Sequence, residues 1–152
     1  MKPRNLEFEE LVSVLEQEHE DVSAVMRGLD GDIGSRQDED VVASLRNLRE
    51  VLLQHILDEE SGVLRVLINA YGRDGSREAI EVFQEHVDIL KMLAELDDSI
   101  TVDRKASKEL RTTLDALMSE HFRKEDDVIF PWALRTHLAD GNGSRSASHV
   151  PQ

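Results

Sequence analysis

The chain has 152 residues, a formal net charge of -14 and no cysteine. That length suits one domain with a substantial core. The missing cysteines exclude disulfides, thiol nucleophiles, iron–sulfur clusters and cysteine zinc sites, so any bound metal must use histidine and carboxylate. So anionic a surface repels phosphate backbones and acidic lipid, and we expect neither a nucleic-acid nor a membrane role.

The amino terminus, MKPRNLEFEE, carries early basic residues with no apolar run behind them, and no later segment approaches a membrane-spanning length. The expectation is a soluble cytoplasmic protein. Asn5 can cap a first helix, in which Phe8, Val12, Leu15, His19, Val22, Met26 and Leu29 step by four and three, as a buried stripe requires. Gly28, Gly31 and Gly34 are expected to end it. A second run carries Val41, Leu45, Leu48, Leu52, His55, Glu59 and Val66, has a weak spot at Gly62, and closes at Tyr71, Gly72 and Gly75.

The third and shortest run follows Ser76, with Ala79, Phe83, His86, Leu90 and Leu93 on one side, and fades at Asp97, Asp98 and Ser99. The fourth starts near Asp103 and turns Leu110, Leu114, Leu117, His121, Glu125, Val128 and Trp132 inward, with Pro131 bending it. Short connections between four helices predict an all-α, antiparallel up-down-up-down four-helix bundle. The bundle is expected over residues 1–138, followed by a disordered tail over 139–152.

A single histidine on an apolar stripe is usually a core residue whose ring nitrogens find a carbonyl or water. Here His19, His55, His86 and His121 each lie near the middle of their own helix, and in an antiparallel bundle midpoints share one level. Burying so many unpaired rings costs on the order of 1 to 3 kcal/mol per unsatisfied group. Glu59 and Glu125 each follow an inward histidine by four residues, the spacing that stacks two side chains on one helix face. Two buried carboxylates beside four imidazoles imply a cation, and His19, His55, Glu59, His86, His121 and Glu125 are the expected metal ligands.

Six ligands of this kind are too many for one catalytic zinc, so two metals fit better, with both glutamates bridging and open positions left over. Imidazole and carboxylate suit iron, manganese or zinc without choosing among them. Glu60 and Asp126, one residue past the glutamates, are expected to point away toward an outer shell or solvent. Glu18, Glu20, Glu85 and Glu120 read as surface charge, with a lesser role in orienting a ring. His137 and His149 read as solvent-exposed, and Phe83, Phe122 and Trp132 as packing.

The ordered pattern of His19, His55 with Glu59, His86, and His121 with Glu125 resembles the hemerythrin-like, or HHE cation-binding, family of non-haem di-iron bundles. The resemblance spans roughly residues 8 to 134 and implies two iron ions bridged by carboxylate and by oxide or hydroxide, meeting dioxygen, peroxide or nitric oxide. Two departures from the oxygen carriers stand out: Leu90 sits where they place a fifth histidine, and Glu125 replaces a more distant aspartate. VIFPW after Glu125 keeps an ending often seen in the family, which the stretch after His55 lacks. The rival ferritin-like pattern is met only by Glu16 with His19. Three functions compete: a binding or sensing module for dioxygen, nitric oxide or iron; a catalase-like enzyme; and a metal-free bundle with satisfied core histidines.

Overall fold

The computed structural model describes residues 1–141. Four helical rods pack side by side. The first is α1 (Phe8–Asp32). The second runs through α2 (Asp38–Asp58), a π-helical segment, π1 (Glu59–Leu64), and α3 (Arg65–Gly75), which kinks at Gly72, where φ is 73°. The third is α4 (Arg77–Ser99), the shortest rod, as expected. The fourth joins α5 (Arg104–Lys124), π2 (Glu125–Ile129) and α6 (Phe130–Gly141). Each rod packs against its sequence neighbours, and the fourth closes back on the first through α1 and α5. The result is the all-α four-helix bundle expected from the pattern.

Two apolar layers fill the interior, and the histidine level lies between them. One layer joins Val22, Met26 and Leu29 with Val41, Leu45 and Leu48, and with Leu93, Leu96 and Leu114. It therefore unites the late part of α1 with the early part of α2, as antiparallel rods must. The other layer joins Leu11, Leu15, Leu64, Leu67, Val82, Ile129 and Phe130. No helix is long and apolar enough to cross a membrane among the described residues.

Several boundaries differ from the sequence expectation. Asn5 caps nothing: α1 begins at Phe8 without a side-chain cap, and residues before it form a strap drawn onto α2 by Arg4, whose amide donates to Asp58 Oδ1 at 2.8 Å. Gly28 and Gly31 lie inside α1, which keeps Leu29 and Ile33 buried, and only Gly34, at φ 94°, leaves the helical region. Asp103 does start α5, its side chain accepting from the Ala106 amide at 3.1 Å. α6 extends through Gly141, and residues 142–152, with His149 and most of the expected tail, lie outside the described residues.

The larger correction concerns register. A π turn inserts one residue into the helical repeat and rotates everything beyond it. Hence the inward residues after Glu59 are Val63, Leu64 and Leu67, with Val66 only half-buried. After Glu125 they are Ile129 and Phe130, while Val128 is 47% exposed. Pro131 sits just after π2, whose widened turn accommodates a ring that would clash inside an ordinary helix. In π1 Gly62 is no weak spot: a Cβ there would lie 2.8 Å from Leu11 Cδ2, so the missing side chain lets the second rod approach α1.

Candidate metal centre

All six expected ligands meet at one level. His19, His55, His86 and His121 are 2–4% exposed, and Glu59 and Glu125 are fully buried. α1 supplies His19 and α4 supplies His86, while the second and fourth rods supply a histidine in the last α turn and a glutamate at the first π residue.

The two carboxylates span the centre. Glu59 sets Oε2 3.3 Å from His55 Nε2 and Oε1 3.0 Å from His86 Nε2. Glu125 sets Oε1 2.9 Å from His19 Nε2 and Oε2 3.2 Å from His121 Nε2. Each acid thus gives one oxygen to each half. Two groups follow, His19, His55, Glu59 and Glu125, and Glu59, His86, His121 and Glu125, with the ligand atoms of each within 4.8 Å of one another. Ligands about 2.1 Å from one ion and at right angles lie about 3.0 Å apart, close to the nitrogen–oxygen distances found here.

Hydrogen bonding leaves these atoms wanting a partner. Nε2 of His19, His55 and His86 and all four oxygens of Glu59 and Glu125 are buried without a hydrogen bond of acceptable direction, although nitrogen and oxygen lie close. Such groups cost about 1–3 kcal/mol each when left unmade. Their proximity and misdirection suit lone pairs that converge on a cation better than donors aimed at acceptors.

The opposite edge of every ring is fully committed. His55 Nδ1 lies 2.9 Å from Glu18 Oε1, His86 Nδ1 2.7 Å from Glu60 Oε2, His121 Nδ1 2.7 Å from Glu85 Oε1, and His19 Nδ1 2.9 Å from Asp126 Oδ1. With Nδ1–H donated to an acid, each ring turns its Nε2 lone pair inward. In every case the acid comes from the preceding rod and stands beside a centre residue of that rod, so the four pairs run once around the bundle. Glu18 and Glu85, which read as surface charge, are ring partners, and so are Glu60 and Asp126; Glu20 and Glu120 are exposed as expected.

Aromatic packing shields one side. Phe122 stacks on His19 with centroids 4.0 Å apart, a role its reading as plain packing missed, and Phe130 lies 5.5 Å from the same ring. A surface cleft lined by Glu16, Glu20, Ser119, Arg123 and Asp127 reaches His19, Phe122 and Asp126. Trp132 stays with packing, 5.2 Å from Tyr71. His137 is half-buried rather than exposed, stacked on Phe8 at 4.3 Å.

Without a cation, the surrounding carboxylates favour protons on the rings. Burial by itself lowers a histidine pKa, but carboxylates outweigh it: Glu18 and Glu59 push His55 up to about 9, Glu125, Glu59 and Glu60 push His86 up to about 11, and Glu125 and Glu85 push His121 up to about 9. His19 is raised against its burial by Asp126 and Glu125. Glu125, which burial would raise, is held well below the usual carboxylate range by Glu59 and the rings of His121, His19 and His86. The carboxylates thus favour protonated rings at His55, His86 and His121, and a cation bound there would have to displace those protons.

The arrangement is thus a four-rod bundle whose buried histidine and glutamate cluster could hold a metal ion. Residues 1–67, a span that carries His19, His55 and Glu59, match the family described as the hemerythrin HHE cation binding domain. No curated protein and no solved structure gives a match.

Proposed function

We propose that the centre holds two iron ions, bound through His19, His55, Glu59, His86, His121 and Glu125, and that the loaded protein takes up or reacts with dioxygen, peroxide or nitric oxide. One observation carries this reading: seven buried nitrogen and oxygen atoms of these residues point inward without hydrogen-bond partners, and each carboxylate offers one oxygen to each half. When bound, such a pair of ions supplies redox and Lewis-acid chemistry. The chain's own part is to fix the rings through Glu18, Glu60, Glu85 and Asp126, to exclude water with Phe122 and Phe130, and to accept small molecules beside His19. The cytoplasmic setting belongs to the same proposal.

Peroxide decomposition is the second reading. Leu90, half-buried on α4, provides no fifth imidazole near His86, so an ion held by two of the histidines and both glutamates would keep coordination positions open. Iron loading without oxygen, followed by elemental analysis and absorption spectra under air, peroxide and nitric oxide, tests the main reading. We expect two irons per chain and a spectrum that changes with at least one of the three. Iron content no higher than in His121→Ala overturns it. Oxygen evolution from peroxide faster than in that variant selects the enzymatic reading.

A further inference from the structure

The ring partners Glu18 and Glu85 occupy equivalent places in the two halves of the centre, yet they are held differently. Glu85 receives Lys124 of α5, Nζ to Oε2 at 2.7 Å, a cation built into the same rod as the ring it supports. Glu18 receives Arg4, Nη2 to Oε2 at 2.9 Å and to Oε1 at 3.1 Å. Arg4 lies on no helix. It belongs to the strap before α1, and its Nε also donates to Asp58 Oδ2 at 2.5 Å. Asp58 has a fully buried side chain, and its Oδ1 further accepts from Gln54 at 3.0 Å, while Gln54 donates to the Lys2 carbonyl at 2.9 Å. Planar guanidinium is suited to this task, since one side chain bridges two carboxylates in fixed directions where an ammonium offers only a point charge.

We propose that Arg4 is a positioning residue for the His19/His55 half of the centre, so that the amino-terminal strap latches one metal position and leaves the other to Lys124. The chain of contacts runs from Asp58 through Arg4 to Glu18, and from Glu18 to His55 Nδ1. Releasing Arg4 frees Glu18 to rotate into solvent, and the imidazole then loses the acceptor that fixes its tautomer and its plane. Asp58, left buried beside Gln54 alone, adds a driving force for the strap to stay docked. The two metal positions are therefore unequal, although their ligand sets match.

The proposal rests on the metal reading above, and cobalt(II) serves as the probe for both. Wild type, Arg4→Ala, Arg4→Lys and Lys124→Ala are titrated as full chains, followed by d–d absorption and by the paramagnetically shifted, exchangeable ring protons. Wild type should take two equivalents. In Arg4→Ala one equivalent weakens about tenfold, the low end for loss of a ligand's supporting contact. In the same variant the Nδ1–H proton of His55 exchanges faster with water, while those of His86 and His121 do not change. Lys124→Ala should show the converse, and Arg4→Lys a partial recovery that also serves where the alanine variant folds poorly. Two unaltered equivalents, or equal weakening of both, in the Arg4 variants overturn the latch alone. A wild type that takes no cobalt overturns the metal reading with it.

Discussion

Replacing Glu59 by glutamine keeps the volume of a fully buried side chain and removes its charge. In the metal-free protein the amide oxygen can still accept from one ring, His55 or His86, which lie 3.3 and 3.0 Å from the two carboxylate oxygens, and the other ring then faces an NH2 group. That mismatch costs about 1–3 kcal/mol. The larger effect appears with metal. At a free metal concentration about 100 times Kd, each occupied site stabilises the fold by about 2.7 kcal/mol, so two sites give about 5 kcal/mol. For a domain of this size, 1 kcal/mol shifts Tm by roughly 2–4 °C, so loading should raise wild-type Tm by roughly 10–20 °C. Because Glu59 gives one oxygen to each half, Glu59→Gln should lose at least half of that increment and hold fewer than two ions per chain. Thermal melts by circular dichroism with saturating iron and with chelator measure it. An increment equal to wild type would show that Glu59 faces no metal and refute the bridging geometry.

Acidity gives a second prediction. The folded pKa values of His55, His121 and His86 lie above the ordinary histidine value of about 6.5, so the metal-free protein holds their stabilisation in full below about pH 6.5. It loses that stabilisation as pH rises through about 9, for His55 and His121, and then about 11, for His86. Metal-free Tm should fall over this window while the loaded form declines much less, the cation having replaced the protons; a flat metal-free profile from pH 6.5 to 10 would contradict the paired cluster. A third concerns π1: Gly62→Val should cost about 1–3 kcal/mol by overpacking against Leu11, read as a lower urea midpoint, whereas Gly62→Ala needs only the flexible end of Leu11 to move and should stay near wild type. Equal stability of the valine variant would mean that the rod does not need the gap.

Much of the centre was legible because helical periodicity and burial chemistry point the same way. A histidine such as His55 interrupts a leucine stripe, Glu59 follows at a spacing that shares its face, and the same arrangement returns at His121 and Glu125. The ring partners were harder to see. Glu18 and Glu85 sit beside the inward stripe of their own helices, so periodicity assigns them to the surface, and only the packing of one rod against the next turns them toward His55 and His121. Position does not single them out either, since Glu120 precedes His121 just as directly and is exposed. The π turns were also hidden, since a single extra residue leaves no periodic mark, and for this reason Val66 and Val128 were expected inward where Leu67 and Ile129 are found. The strap hid behind a plausible capping residue, Asn5, because a contact between Arg4 and Asp58 has no local signature.

The circuit of ring and acid also joins two halves of the chain that carry the same pattern. Each half of the chain contributes an acid beside an inward histidine, then a histidine followed by a glutamate and a second acid: Glu18, His19, His55, Glu59 and Glu60 in one, Glu85, His86, His121, Glu125 and Asp126 in the other. Within the first half only the Glu18–His55 pair is complete; His19 and His86 are each served from across the divide. A solitary hairpin is thus chemically unfinished, and in this chain each hairpin supplies the acid that the other one lacks.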